Sequence, residues 1–257
     1  MKFTVNAKEL VGALTDTLLK GKYLTGGGLS GSSLPEEFYA ELEGNTLSLW
    51  NADIINSLVV KINLEVEGEK NGSFTAESKL LIQYLKKFSG DVEIESGDIL
   101  TIKSENSKVS QPLKIEHTSD TTIKVLKPRL EKIHFEENLE TLFEFGKGKF
   151  EGAFQLDSNT FADYIKLCEL VGSGVYSLNY EHDKNKVSLS SSSTNSNRFE
   201  TFIELESNIG ESATIDFCDP VHALFKDEVL NFYLKDDFPM LIVGENKILM
   251  KAPRISD

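Results

Sequence analysis

Two cysteines, one tryptophan and six prolines are spread over 257 residues, and no apolar run approaches the about 18 residues needed to cross a membrane. Cys168 and Cys218 sit inside apolar patterns without paired metal-site spacing. They read as reduced, structural thiols and imply neither a disulfide framework nor a zinc site. The opening "MKFTVNAKELVGAL" is too polar for a secretory segment, so an intracellular soluble protein is expected. Cations are also scarce: 27 Lys+Arg face 41 Asp+Glu, a formal net charge of -14. Such a balance repels polyanions and excludes adhesion to nucleic acid through the whole surface, so nucleic-acid binding requires a segregated basic patch.

Catalytic signatures are missing as well. His117, His134, His182 and His222 show no metal-ligand spacing, no Gly-x-Ser-x-Gly occurs, and "GKGKFEG" at Gly146–Gly152 lacks the Lys-Ser/Thr ending of a phosphate loop. "TGGGLSGSS" at Thr25–Ser33 does not lie between a strand and a helix in dinucleotide fashion and reads as a loop. No cofactor and no metal are expected. An acidic intracellular hydrolase remains as the enzymatic rival.

What is present is a repeated grammar. "MKFTVNAKELVGALTDTLLKGKY" reads as an alternating strand, a cap at Asn6, and a helix with Leu10, Leu14 and Leu18 on one stripe. "FEGAFQLDSNTFADYIKLCELVGSG" repeats it, with the cap at Asp157 or Ser158, Phe161, Ile165 and Cys168 on one face, and Gly172 and Gly174 ending the helix. The spacing from Phe3 to Leu10 equals that from Phe154 to Phe161. Alternating runs follow in both halves, then a short helix and further strands. The serine-rich Ser190–Asn197 reads as a solvated turn. An α+β fold is expected, with two similar domains of antiparallel sheets bearing helices on one face. The expected domains are 1–117 and 150–257, with a charged connector at 118–149.

This order resembles the sliding DNA clamps of the proliferating cell nuclear antigen type. The resemblance rests on "SKLLIQYLKK" at Ser78–Lys87, "NADIINSLVVKI" at Asn51–Ile62, and above all Asp237 and Pro239 before an apolar strand that ends in "LMKAPRI". Together these span nearly the whole chain. The resemblance implies a ring of subunits joined head to tail by edge strands, with helices lining a hole through which duplex DNA passes. It implies no chemistry: the ring tethers a DNA polymerase and other replication and repair proteins, and a clamp loader places it on DNA. Two domains per chain imply a homotrimer. Localisation follows the host, cytoplasmic in a prokaryote or virus-infected cell and nuclear in a eukaryote.

Three groups of residues follow from the resemblance. DNA-facing cations are Lys8, Lys20, Lys22, Lys79, Lys86 and Lys87 in the first half and Lys166 and Lys226 in the second; solvation of amphipathic helices explains any one of them equally well. A partner-peptide pocket is implied at Trp50, Val125, Leu126, Pro128, Pro239, Met240, Ala252, Pro253 and Ile255, where the alternative for Met240 and Ile255 is ordinary core packing. Subunit edges are implied at Val109, Leu113 and Ile115 on one side and at Val175, Tyr176, Leu178 and Tyr180 on the other. The thin basic lining of the second half keeps open a checkpoint-like or virus-encoded relative that works in a heterotrimer.

Overall fold

The structure, a computed structural model, describes residues 1–19, 34–53, 57–114, 116–193, 197–218 and 221–254. Among the described residues the chain forms two compact units: the first holds those up to Lys124 except Ser57 and Leu58, and the second holds Ser57, Leu58 and those from Val125 on.

The first unit contains β1 (Lys2–Asn6), α1 (Ala7–Asp16), β2 (Glu37–Glu43), β3 (Thr46–Ala52), β4 (Leu58–Glu65), β5 (Glu67–Lys70), β6 (Gly72–Glu77), α2 (Ser78–Leu85), β7 (Asp91–Ser96), β8 (Ile99–Ser104) and β9 (Ser107–Pro112). Strands β5-β1-β7-β8-β9 form one antiparallel sheet, and β4, β3, β2 and β6 pair in that order in a second ladder. Alternation in β1 sends Phe3 and Val5 into the core. The Asn6 side chain accepts the Lys8 N–H at 3.1 Å and starts α1, capping one of the otherwise unpaired donors of its first turn. Leu10 and Leu14 of α1 and Leu81 and Leu85 of α2 are buried, and the two helices pack against each other.

Helix α3 (Asp120–Leu130) follows, then β10 (Glu144–Phe145), β11 (Gly148–Lys149), β12 (Gly152–Asp157), α4 (Ser158–Glu169), β13 (Val175–Glu181), β14 (Lys186–Ser192), β15 (Arg198–Glu204), β16 (Asn208–Gly210), β17 (Ala213–Cys218), β18 (Val229–Leu234), β19 (Met240–Val243) and β20 (Lys247–Lys251). Strands β16, β12, β18, β19 and β20 pair in that order, and β15-β14-β13-β17 form a four-stranded sheet. Position for position this repeats the first unit: β12 answers β1, β13 to β15 answer β2 to β4, β16 and β17 answer β5 and β6, and β18 to β20 answer β7 to β9. Asp157 takes the cap, accepting the Thr160 N–H at 2.9 Å.

The same frame is filled differently in the two units. Where Phe3 faces Ile94, Phe154 faces Phe232, the rings stacked at 4.9 Å and 5° with Phe161 edge-on to Phe232 at 5.0 Å. Aromatic pairs of this kind add roughly 0.5–1.5 kcal/mol beyond their buried area.

Two expectations change. The second short helix is a single 3-10 turn, Val221–Leu224, after which Asp227 takes a left-handed backbone (φ 54) that a continuing helix cannot use. The stretch expected as a connector is not a bare linker: α3 occupies its first part, and Leu130, Ile133, Leu139, Phe143 and Phe145 bury themselves. There, Phe143 meets Tyr233 at 5.1 Å and Phe145 meets Phe238 at 6.0 Å, while the Gln155 amide donates to the carbonyls of Glu136 and Glu137. The terminal hairpin forms as expected, with β19 and β20 in register from Met240↔Lys251 to Val243↔Ile248 and Gly244 N–H donating to Lys247 O at 2.8 Å.

Candidate DNA-facing and partner-binding surfaces

In the first unit the two helices bury their leucines and leave cations outside. Lys8 on α1 and Lys79 on α2 are exposed, as are Lys86 and Lys87 immediately after α2. The nearest carboxylate to Lys79 is that of Glu36, at 3.9 Å. Glu9 and Asp16 lie on α1 among them. In the second unit Lys166 is already paired with Asp163, one turn away at 2.9 Å, Lys226 is exposed beyond the 3-10 turn, and α4 presents Leu167 and Leu170, 41% and 80% exposed. The cationic face thus belongs mainly to the first unit. Lys20 and Lys22 lie outside the described residues.

His222 is buried beside α4, and burial, with a smaller contribution from the Lys166 charge, pushes its pKa down to about 4. It is a neutral packing residue at ordinary pH, not a contact for phosphate.

The implied pocket residues divide by exposure. Trp50 and Met240 are fully buried and Leu126 nearly so; the Lys61 ammonium lies 5.2 Å from the centre of the Trp50 ring. Among the described residues, Trp50 on β3 and Met240 on β19 are thus packed as core side chains. Val125 and Pro128 are exposed on α3, and Pro239, Ala252 and Pro253 are half-buried. Ile255 lies outside the described residues. The sequence carries a pattern for α3: Ile123, Leu126 and Leu130 fall on one stripe and are buried, Asp120 occupies the first turn, and Lys124 pairs with Asp120 at 2.6 Å and Lys127 with Glu131 at 3.4 Å. Pro128 inside the helix masked the pattern.

The start of α3 is pinned to the first unit. Ser119 Oγ donates to Ala52 O at 2.7 Å, and Ser119 N–H donates to His117 Nδ1. Thr118 N–H donates to the Glu37 carboxylate, with Lys114 at 3.5 Å from that carboxylate. Burial raises the Glu37 pKa, but the hydrogen bonds from Thr118 and the charges of His117 and Lys114 outweigh it and leave it below the usual value.

The edge assignments need one correction. Val109 lies on β9 and is half-buried, as is Leu113 just beyond it, and β9 is the outer strand of its sheet. Pro112 ends β9, so its missing donor interrupts no ladder. Val175, Tyr176, Leu178 and Tyr180, however, sit on β13, which pairs with β14 on one side and β17 on the other. Its backbone groups are already used, and no further strand can add there. The outer strands of that sheet are β15 and β17; on β15, Phe202 is 53% exposed and carries the Lys186 ammonium at 4.2 Å from its ring centre. Ile115 lies outside the described residues.

Among the described residues, no group of three or more His, Cys, Asp or Glu side chains is placed to hold a metal ion. No protein-family model matches the sequence, and no curated protein matches it. Solved structures do. A. fulgidus PCNA, in its complex with the C-terminal region of FEN-1, is 14% identical with a TM-score of 0.70, covering 100% of this chain and 99% of that one. PCNA from Thermococcus kodakaraensis is 14% identical with a TM-score of 0.66, covering 98% and 99%. The DNA polymerase sliding clamp from Bacillus subtilis is 14% identical with a TM-score of 0.72, covering 100% of this chain and 65% of that one, so the chain spans about two thirds of the bacterial subunit. With two matching units, outer strands at β9 and β15 and a helical face on each unit, this chain has the fold of the DNA polymerase sliding clamps.

Proposed function

We propose that the chain is a sliding clamp: identical copies close into a ring around duplex DNA and tether a DNA polymerase and other replication or repair proteins, after placement by a clamp loader. The observation that carries this reading is that two of the outer strands, β9 in the first unit and β15 in the second, are paired on one side only among the described residues. An exposed edge is an association hazard that a monomer normally blunts; a head-to-tail contact between two different edges uses both and closes when its rotation allows. Full-length likeness to two-unit archaeal clamps favours three copies. Lys8, Lys79, Lys86 and Lys87 supply weak phosphate contacts that leave the ring free to slide, because topology rather than affinity holds it. The partner segment docks on the accessible residues Val125, Pro128, Pro239, Ala252 and Pro253.

The test is the mass of the purified chain by size-exclusion chromatography with light scattering, followed by polymerase processivity on primed circular DNA with a loader. A trimer that raises processivity supports the reading; a monomer at high concentration that stimulates nothing overturns it. A heterotrimer is the second reading, favoured by the Lys166–Asp163 pair and the exposed leucines of α4, and it predicts trimers only after co-expression with partner subunits.

A further inference from the structure

In the second unit, the turn after α4, the ends of β13 and β14, the start of β15 and the C-terminal stretch surround an open cleft of about 710 Å3, within the roughly 300–1,000 Å3 common for ligand sites. Its chemistry is lopsided toward donors. Arg198 and Arg254 line it together with Ser177, Ser190, Ser192 and Ser193. Ser173 Oγ and Ser191 Oγ lie 2.7 Å apart and 3.0 and 2.8 Å from Val175 O, one hydroxyl donating to that carbonyl and the other to its fellow serine or to the same carbonyl, so they form a fixed wall. Ser193 Oγ is buried with no partner among the described residues, a state that costs about 1–3 kcal/mol unless a water completes it. Arg198 gives one nitrogen to Glu200 at 2.9 Å and keeps its other donors. Arg254 is exposed and its side chain meets no carboxylate among the described residues. Against two arginines the lining holds one carboxylate, Asp216, in a chain of net charge -14.

Asp216 decides what kind of anion fits. A bare phosphate is repelled by it, whereas an extended peptide offers acidic side chains and backbone N–H donors together. The backbone already shows an extended chain accepted here: Arg254 N–H donates to Asp216 O at 2.7 Å. We propose that this cleft receives the acidic side chain of an extended partner peptide, with Arg254 and Arg198 gripping the carboxylate, the free serine hydroxyls filling its remaining acceptor sites, and Asp216 taking a peptide N–H. The cleft needs no DNA and no ring closure to bind.

The test uses the full chain and two fluorescent pentapeptides, Ac-Gly-Glu-Glu-Asp-Gly and its Gln/Asn counterpart, read by anisotropy. The acidic peptide is expected to bind about tenfold tighter than the neutral one, and R198E/R254E to remove about tenfold of that affinity, in line with charge-assisted hydrogen bonds. Unchanged melting of the double variant establishes that the fold is intact. Should it unfold, R254Q alone is expected to weaken the acidic peptide several-fold. Equal binding of the two peptides, no binding by either, or indifference to the arginine changes overturns the proposal. So does binding of inorganic phosphate, detected by calorimetry, without binding of the acidic peptide.

Discussion

The backbone N–H of Ser119 donates to Nδ1 of His117 at 2.9 Å, which leaves the ring proton on Nε2, facing Glu37 O at 3.3 Å. A protonated ring carries hydrogen on both nitrogens and loses the Ser119 bond. His117 is buried, and burial, opposed by the nearby Glu37 and Asp120 charges, lowers its pKa from 6.5. Its neutral form therefore supports the fold above the unfolded value, and that support is lost as pH falls through 6.5 toward the lower folded value. Glu37, lowered from 4.5, loses its contribution as pH falls below that range. Both groups make acid destabilising, and the protection of the Ser119 and Asp120 amides against hydrogen exchange, taken relative to the intrinsic rate at each pH, is expected to fall below about pH 6. His117→Phe removes the acceptor and should cost about 1–3 kcal/mol at neutral pH in urea unfolding, with a flatter acid limb.

His222 gives a second acid-sensitive step. With a folded pKa of about 4 against 6.5, its neutral state contributes on the order of 3 kcal/mol that is present above pH 6.5 and lost between 6.5 and 4. His222→Gln should weaken this pH dependence in thermal melts. An acid limb unchanged by the substitution rules out His222 as its source.

Reversal of Lys79, Lys86 and Lys87 to Glu is expected to leave the melting temperature within a few degrees, because all three are exposed, and to impair loading or sliding with a smaller salt slope, about one unit per lost phosphate contact. Lys166→Glu should do much less, since Asp163 already neutralises that ammonium. Comparable losses from the two variants contradict a cationic face centred on the first unit.

Phe202→Glu on β15 changes a side chain that is half exposed in the single chain, so folding should persist while the assembly mass drops toward the monomer. A full-mass trimer means that β15 is not a contact strand. On the opposite edge, Gln111 of β9 is 2% exposed and neither of its amide atoms has a partner among the described residues. Gln111→Leu removes that unmet need and should raise stability by about 1 kcal/mol in denaturant unfolding; a loss instead indicates a water or partner held by the amide.

The repeated order, both helix caps, the terminal hairpin and the duplicated fold were legible in the sequence because each rests on local periodicity or a capping side chain, as at Asn6 and Asp157. Which strand lies outermost was not. Val175–Glu181 and Arg198–Glu204 both alternate, and only long-range pairing, β17 against β13, decides that the first is interior. Helix α3 was hidden by Pro128, which sits in its last turn, where only one ladder bond is lost. The serine-rich Ser190–Asn197 reads as a solvated turn, whereas its first three residues, Ser190–Ser192, belong to strand β14, and the cleft they help line is recognisable only with Arg254 alongside.

Because β1 and α1 map onto β12 and α4 residue for residue, each half is the other's built-in control. Lys8 corresponds to Asn159, Gly12 to Asp163 and Thr15 to Lys166, so the strip that is cationic and smooth in the first half is mixed and self-neutralised in the second. If the proposed ring closes with these helices inward, the duplex inside it meets charged first-half helices and nearly neutral second-half ones, and a passing phosphate backbone feels a periodic rather than a uniform grip.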